Sequence, residues 1–401
     1  SIISAHTIKA GGIAEAVSKM CWGNMIGMQF TANIDKTELF AYNPGSMVLE
    51  IEAGTDLSKL FTKTNYTVLG KTIAEPVIRI GSTELQLSRL QETWEAPLEK
   101  VFPTTPELSA NVPEHTPYTN RNTHRPTAKI AVPRVLITVF PGTNCEYDTA
   151  RAFEKAGAEV DTFTVKNLTP ADVDNSVKEM AAKIKQTQII MIPGGFSAGD
   201  EPDGSGKFIA AFFRNPHIKD VVNELVGKRD GLMLGICNGF QALIKLGLVP
   251  FGEIRDMDER SPNLTFNTIG RHISHAAYTK VCSVKSPWLS YLNPGDIHAV
   301  AVSHGEGRFV APQEIIDTMY SNGQVATQYV DSDGKLTTSS NLNGSFSAIE
   351  GITSPDGRIL GKMGHSERIG NFVARNWCEL FQIIICLQIS KIFVNFRFFA
   401  L

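Results

Sequence analysis

At 401 residues, with 42% hydrophobic and 20% charged side chains, the chain has room for two or three domains with buried cores. That composition excludes a mainly disordered, collagen-like or coiled-coil protein. Thirty-eight basic residues against 41 acidic ones give a net charge of −3, with neither the electrostatic footprint of a nucleic-acid binder nor a basic stretch suited to a membrane surface. Six cysteines without a Cys-x-x-Cys pair argue against zinc ribbons, thioredoxin-like sites and disulfide scaffolds, and point to a reducing cytoplasm. The first residues, Ser1–Ile8, show neither the basic n-region nor the apolar core of a signal peptide. It opens on Ser1 without Met, in what reads as structure, so a truncated front is expected.

Residues 1–102 read as an α+β domain. Ile13, Ala16, Val17 and Met20 have the spacing of an amphipathic helix. Ser46–Glu52, Tyr66–Ile73 and Val77–Ile80 read as strands, with a short helix at Leu57–Phe61. Residues 103–133 hold six prolines among Thr, Asn and His, which predicts a linker laid over a surface.

From Arg134 the pattern becomes apolar strands alternating with helices. Strands are expected at Val135–Phe140, Glu159–Val165, Gln188–Ile192 and Gly231–Gly235. Helices are expected through Ala150–Ala156 and near Ala171–Ile184, Gly206–Phe213 and Val221–Val226. This rhythm predicts an α/β fold, with a mostly parallel sheet, helices on both faces and chemistry beyond the strands' C-terminal ends. After Pro250 the chain turns β-rich, with hairpin turns expected at Asp333-Gly334 and Asp356-Gly357.

The strongest chemical signal is Gly235-Ile-Cys237-Asn238-Gly239, directly after an apolar strand and before a helix. Flanking glycines permit the tight turn of a nucleophile elbow, and a helix N-terminus favours a thiolate. A thiolate nucleophile needs a base, and the base needs an orienting acid. His365 and Glu367, two residues apart, supply both if the segment is extended. The run Gly194-Gly195-Phe196 closes the third strand, and its backbone N–H groups, with that of Asn238, are candidates for an oxyanion hole or substrate site. Cys145, in Gly142-Thr-Asn-Cys145, is a rival nucleophile without an elbow glycine after it. His272 and His275 lack a third ligand at metal-site spacing. Ser303-His304-Gly-Glu306-Gly-Arg308 reads as supporting structure near the site, or as a substrate loop.

Five segments together resemble the class I glutamine amidotransferase domain of the phosphoribosylformylglycinamidine synthase family: Phe140–Asn144, Pro193–Asp200, Gly235–Gln241, Ala301–Arg308 and Met363–Arg368. They occur in the family's order, within a glutaminase domain expected over residues 134–376. The resemblance implies that Cys237 attacks the glutamine carboxamide, His365 shuttles protons and Glu367 orients His365. Backbone N–H groups near Gly195 and Asn238 would hold the oxyanion, and the glutaminase would need no cofactor or metal. In the complete synthase, the ammonia would reach a second site that uses ATP and Mg²⁺ to convert formylglycinamide ribonucleotide to the amidine. Gly364 stands where the family often has Pro.

Residues 1–102 resemble the C-terminal half of the family's second aminoimidazole-ribonucleotide-synthetase-like domain, through Ser4-Ala-His6-Thr7-Ile-Lys-Ala-Gly-Gly12. Thr7 replaces the Asp that many relatives carry there. Residues 377–401, rich in Phe and Ile, depart from the family and are expected to be a non-native, out-of-frame tail. Besides the glutaminase, two readings remain open: a folded fragment that binds but turns over nothing, and a cysteine hydrolase of related fold.

Overall fold

The structure, a computed structural model, describes residues 2–104, 113–122, 130–197 and 206–368. The expected tail at 377–401 and the end of the Pro193–Asp200 segment lie outside these residues. The chain divides into two compact units, residues 1–104 and 105–401.

In chain order, the first unit contains β1 (Ile2–Thr7), α1 (Gly12–Trp22), β2 (Gly27–Phe30), α2 (Lys36–Leu39), β3 (Met47–Ile51), α3 (Leu57–Leu60), β4 (Gly70–Ile73), β5 (Val77–Ile80), β6 (Thr83–Gln86) and α4 (Leu87–Glu95). β1 pairs with β3, and β4-β2-β5-β6 form a second sheet. Ala16, Val17 and Cys21 line one stripe of α1 and share a core with Met28, Phe30, Ile78 and Leu87. The strand expected over 66–73 shrinks to Gly70–Ile73; Tyr66 and Val68 are exposed.

The second unit opens with residues 113–122 laid along its surface. The Tyr118 N–H donates to Cys282 O (2.9 Å), and Arg121 Nη1 donates to Ser290 O (2.6 Å). Then come β7 (Arg134–Val139), α5 (Glu146–Lys155), β8 (Glu159–Thr164), α6 (Pro170–Ile184), β9 (Ile189–Ile192), α7 (Lys207–Phe213), α8 (Pro216–Lys228), β10 (Leu232–Ile236) and α9 (Asn238–Leu246). A second series follows: α10 (Leu248–Phe251), β11 (Asn263–Phe266), β12 (Ile273–Val281), β13 (Ile297–His304), β14 (Glu306–Val310), α11 (Gln313–Ser321), β15 (Val325–Val330), β16 (Ile349–Thr353) and β17 (Ile359–Lys362).

Nine strands form one sheet in the order β13-β12-β15-β16-β17-β10-β9-β7-β8. β17, β10, β9, β7 and β8 are mutually parallel, and β16, β15, β12 and β13 extend the sheet antiparallel. The parallel strands read as continuous apolar runs because helices cover them; every residue of β9 and β10 is buried. The helix starts are set locally. Thr169 and Asp172 form a reciprocal capping box on α6, whose Val177, Met180 and Ile184 face the core. Asp356-Gly357 turns β16 into β17 as expected, with Gly357 at φ 80°. Asp333-Gly334 also turns, but no strand follows it before β16, because residues 335–345 run irregularly past the end of β15.

Close packing of α9 on the sheet rests on glycine. A Cβ on Gly239 would sit 1.9 Å from Ile192 O, and one on Gly235 2.6 Å from Leu243 Cδ1. Gly227, exposed in α8, has open space around it. Gly239→Ala is therefore expected to destabilise the second unit by about 2 kcal/mol or more. Gly227→Ala should stabilise it by about 0.5–1 kcal/mol. Chemical denaturation of both variants checks the opposite signs.

Candidate active site: a cysteine elbow beside a histidine–glutamate pair

β10 ends at Ile236, and the chain reverses into α9 through Cys237, whose backbone sits at φ 52°, ψ −106°. A non-glycine residue at positive φ is strained, and such strain gathers at functional sites. The turn is held on both sides: the Cys237 N–H donates to Lys362 O (2.9 Å), and the Gln241 N–H donates to Cys237 O (3.0 Å). The sulfur stands at the N-terminus of α9 and lies 3.8 Å from Ser303 O, at the end of β13.

His365 and Glu367 follow β17, the parallel neighbour of β10. They meet through a turn rather than through the extended segment expected from their spacing; the Ser366 N–H donates to Gly364 O (3.2 Å). His365 Nδ1 lies 2.6 Å from Glu367 Oε1, and both side chains are buried. Burial opposes charge on the imidazole, but the Glu367 carboxylate and hydrogen bonding to Cys145, Cys237 and Glu367 outweigh it, holding His365 well above the ordinary imidazole pKa. Burial pushes Glu367 up, yet the facing His365 charge leaves it below the ordinary carboxylate range. Both shifts favour the charged form of each partner.

The Pro193–Phe196 loop closes over this pair from the end of β9. A Cβ on Gly194 would lie 2.6 Å from His365 Cε1 and 3.4 Å from Cys237 Cβ, so the peptide runs directly against both side chains. The Phe196 N–H donates to Gly142 O (2.8 Å). That bond removes Phe196 from the expected oxyanion donors, because its donor is already committed. The N–H groups of Gly195 and Asn238 have no acceptor among the described residues. Asn238 fastens the loop to the elbow: its Oδ1 accepts from the Ser197 N–H (3.2 Å), and its Nδ2 donates to Gln241 Oε1 (2.9 Å).

Cys145, ranked as a rival nucleophile, belongs to the same cluster. Its sulfur is 3.9 Å from His365 Nδ1 and accepts from Arg368 Nη2 at 3.0 Å. Unlike Cys237, it precedes α5 with φ −109°, on an unstrained backbone. Ligand atoms of Cys145, His365 and Glu367 lie within 4.8 Å of one another, a spacing that a metal ion could share. The Arg368 guanidinium on the same sulfur works electrostatically against a cation there. The His272–His275 pair shows no ligand set; His272 Nε2 bonds Ser303 Oγ at 3.0 Å. His304 Nδ1 donates to Asn267 Oδ1 (3.2 Å). Burial, with the charges of His272 and His365, pulls His304 down to about 3, so it stays neutral beside the site.

Residues 132–400 match the family model of the CobB/CobQ-like glutamine amidotransferase domain. Subunit PurQ of phosphoribosylformylglycinamidine synthase from Methanococcus maripaludis is 36% identical over 240 residues, covering 59% of this chain and 82% of that protein. The Treponema denticola PurQ is 35% identical over 284 residues, covering 66% of this chain and 98% of that protein. The solved structure of PurLQS from Thermotoga maritima is 25% identical with a TM-score of 0.44, covering 65% of this chain and 96% of that one. With the family model spanning more than half of its length and relatives at 35–36% identity matched over most of theirs, the chain belongs to the glutamine amidotransferase family of phosphoribosylformylglycinamidine synthase.

Proposed function

We propose that the second unit hydrolyses glutamine through a thioester on Cys237. The strained elbow that presents Cys237 beside the His365–Glu367 ion pair carries this reading. The Cys237 thiolate attacks the carboxamide carbon, and the carbonyl oxygen becomes an oxyanion facing the N–H groups of Gly195 and Asn238. The His365 imidazolium then gives its proton to the amide nitrogen as the C–N bond breaks, and ammonia leaves. His365, now neutral, takes a proton from water; the hydroxide attacks the γ-glutamyl thioester, releasing glutamate and regenerating the thiolate. Glu367 holds the imidazole and stabilises its charge in both half-reactions.

The relatives' identity as subunits of phosphoribosylformylglycinamidine synthase supports a destination for the ammonia. In the complete synthase it would serve the conversion of formylglycinamide ribonucleotide to the amidine, with ATP and Mg²⁺ supplied by synthase domains. The resemblance of residues 1–102 to half of a synthetase-like domain supports a chain that carries part of that machinery together with its glutaminase.

Two measurements test the assignment. Glutamate formation should fall at least about 10³-fold in Cys237→Ala, and by no more than a few-fold in Cys145→Ser, which lacks the elbow. A Cys145→Ser loss equal to that of Cys237→Ala would reverse the assignment of nucleophile.

The ion pair also sets a pH signature. A raised His365 stabilises the fold below the imidazole's unfolded value of about 6.5, and this contribution fades as pH climbs through the folded value. A lowered Glu367 stabilises it above the unfolded carboxylate value of about 4.3, and this fades as pH falls through the folded value. The melting-temperature gap between the parent chain and Glu367→Gln should therefore peak at about pH 5–6 and narrow on both sides. A gap that is flat across pH would contradict a charged pair.

A further inference from the structure

The proton shuttle sits on a short turn, and its neighbour Gly364 is held by a buried ion pair that the proposed chemistry does not use. Lys362 and Glu350 are 2% and 0% exposed, with Nζ 3.4 Å from Oε1. Each also grips one end of the same residue. The Gly364 N–H donates to Glu350 Oε1 (2.6 Å), and Lys362 Nζ donates to Gly364 O (2.8 Å). Glu350 is steadied in turn by the Thr327 hydroxyl, which donates to Oε2.

Two charges removed from water carry a desolvation cost, and apolar side chains in these strand positions would avoid it. Both β16 and β17 are otherwise built of buried apolar residues, glycine and threonine. The pair therefore stands where packing alone does not require it, and its hydrogen bonds converge on the residue before His365. The space around Gly364 is tight: a Cβ there would lie 2.5 Å from Val300 Cγ2 and 3.0 Å from Glu350 Oε1. A proline would have no N–H to offer Glu350.

Lys362 also touches the other half of the site through its backbone, since its carbonyl accepts the Cys237 N–H at 2.9 Å. One residue thus ties the cysteine elbow by its main chain and the histidine turn by its side chain. We propose that the Lys362–Glu350 ion pair is a positioning device. It clamps both hydrogen-bonding groups of Gly364 so that His365 is held in register with Cys237 and Glu367. This inference rests on the reading of His365 as the proton shuttle.

The test replaces both charges at once, as Glu350→Gln/Lys362→Met in the full chain, so that no unpaired charge is left buried. The parent chain and Cys237→Ala are run beside it. The expected result is a folded protein whose kcat for glutamine hydrolysis falls by about tenfold or more, with KM within about twofold. The low-field Nδ1–H proton resonance of His365 should shift or broaden as its bond to Glu367 loosens. A folded double variant with the parent's kcat and an unchanged His365 resonance overturns the proposal. If the double variant does not fold, Thr327→Val takes its place. It removes only the hydroxyl that steadies Glu350, and should lower kcat about threefold at unchanged KM; a parental kcat there overturns the proposal equally. Hydrolysis that survives Cys237→Ala would instead bring down the glutaminase reading itself.

Discussion

The candidate site depends on the pairing of β10 with β17. These strands run parallel in a register that sets Ile236 opposite Lys362, so both strands end at the same level of the sheet. Cys237 leaves one end and His365 follows the other within three residues. The main-chain bond from the Cys237 N–H to Lys362 O continues the ladder into the elbow. A slip of one residue would turn the side chains of one strand to the opposite face and separate Cys237 from His365. β9, on the other side of β10, delivers the Gly194–Gly195 loop at the same edge. Three neighbouring strands thus bring Cys237, His365 and the Gly194–Gly195 peptide to one place, as expected of a site at the C-terminal ends of parallel strands.

The electrostatics follow from burial as much as from contact. His365 and Glu367 are held in low-dielectric surroundings where an isolated charge is costly, and each favours the charged form of the other. Lys362 and Glu350 form a second buried pair, with hydrogen bonds that reach the Gly364 peptide. His304 shows the converse case. It is fully buried, with neighbours that are themselves imidazoles, and it stays neutral. The two buried imidazoles are thus shifted in opposite directions, His365 upward by a facing carboxylate and His304 downward by burial and other imidazoles.

Much of this was legible in residue patterns. The continuous apolar runs of β7, β9 and β10 marked covered parallel strands, and Gly235 and Gly239 around Cys237 marked the turn that α9 needs to approach the sheet. Other features were not legible. β1, β2 and α4 were missed: β1 is mostly exposed or half-buried, β2 is four residues long, and α4 buries only Leu87. Cys145 was visible as a cysteine after a strand, but its distance from His365 depends on how β7 and β17 are ordered across the sheet. Glu350 and Lys362 left one faint sign, a lone charge within each of two apolar strands, and that sign does not say what the charge holds.

The sequence by itself determined the local chemistry of this protein. A cysteine between glycines at a strand-to-helix junction, a histidine two residues from an acid, and a glycine pair after an apolar strand follow from short-range steric and hydrogen-bonding rules that act within a few residues. Only the tertiary structure decided how these pieces meet. It closed His365 and Glu367 through a turn instead of an extended segment, committed the Phe196 N–H to Gly142 O, and placed Cys145 against the imidazole. It also buried Lys362 beside Glu350 under Gly364. Those outcomes depend on strand order and register, which are set by long-range pairing and core packing that residue spacing alone does not specify.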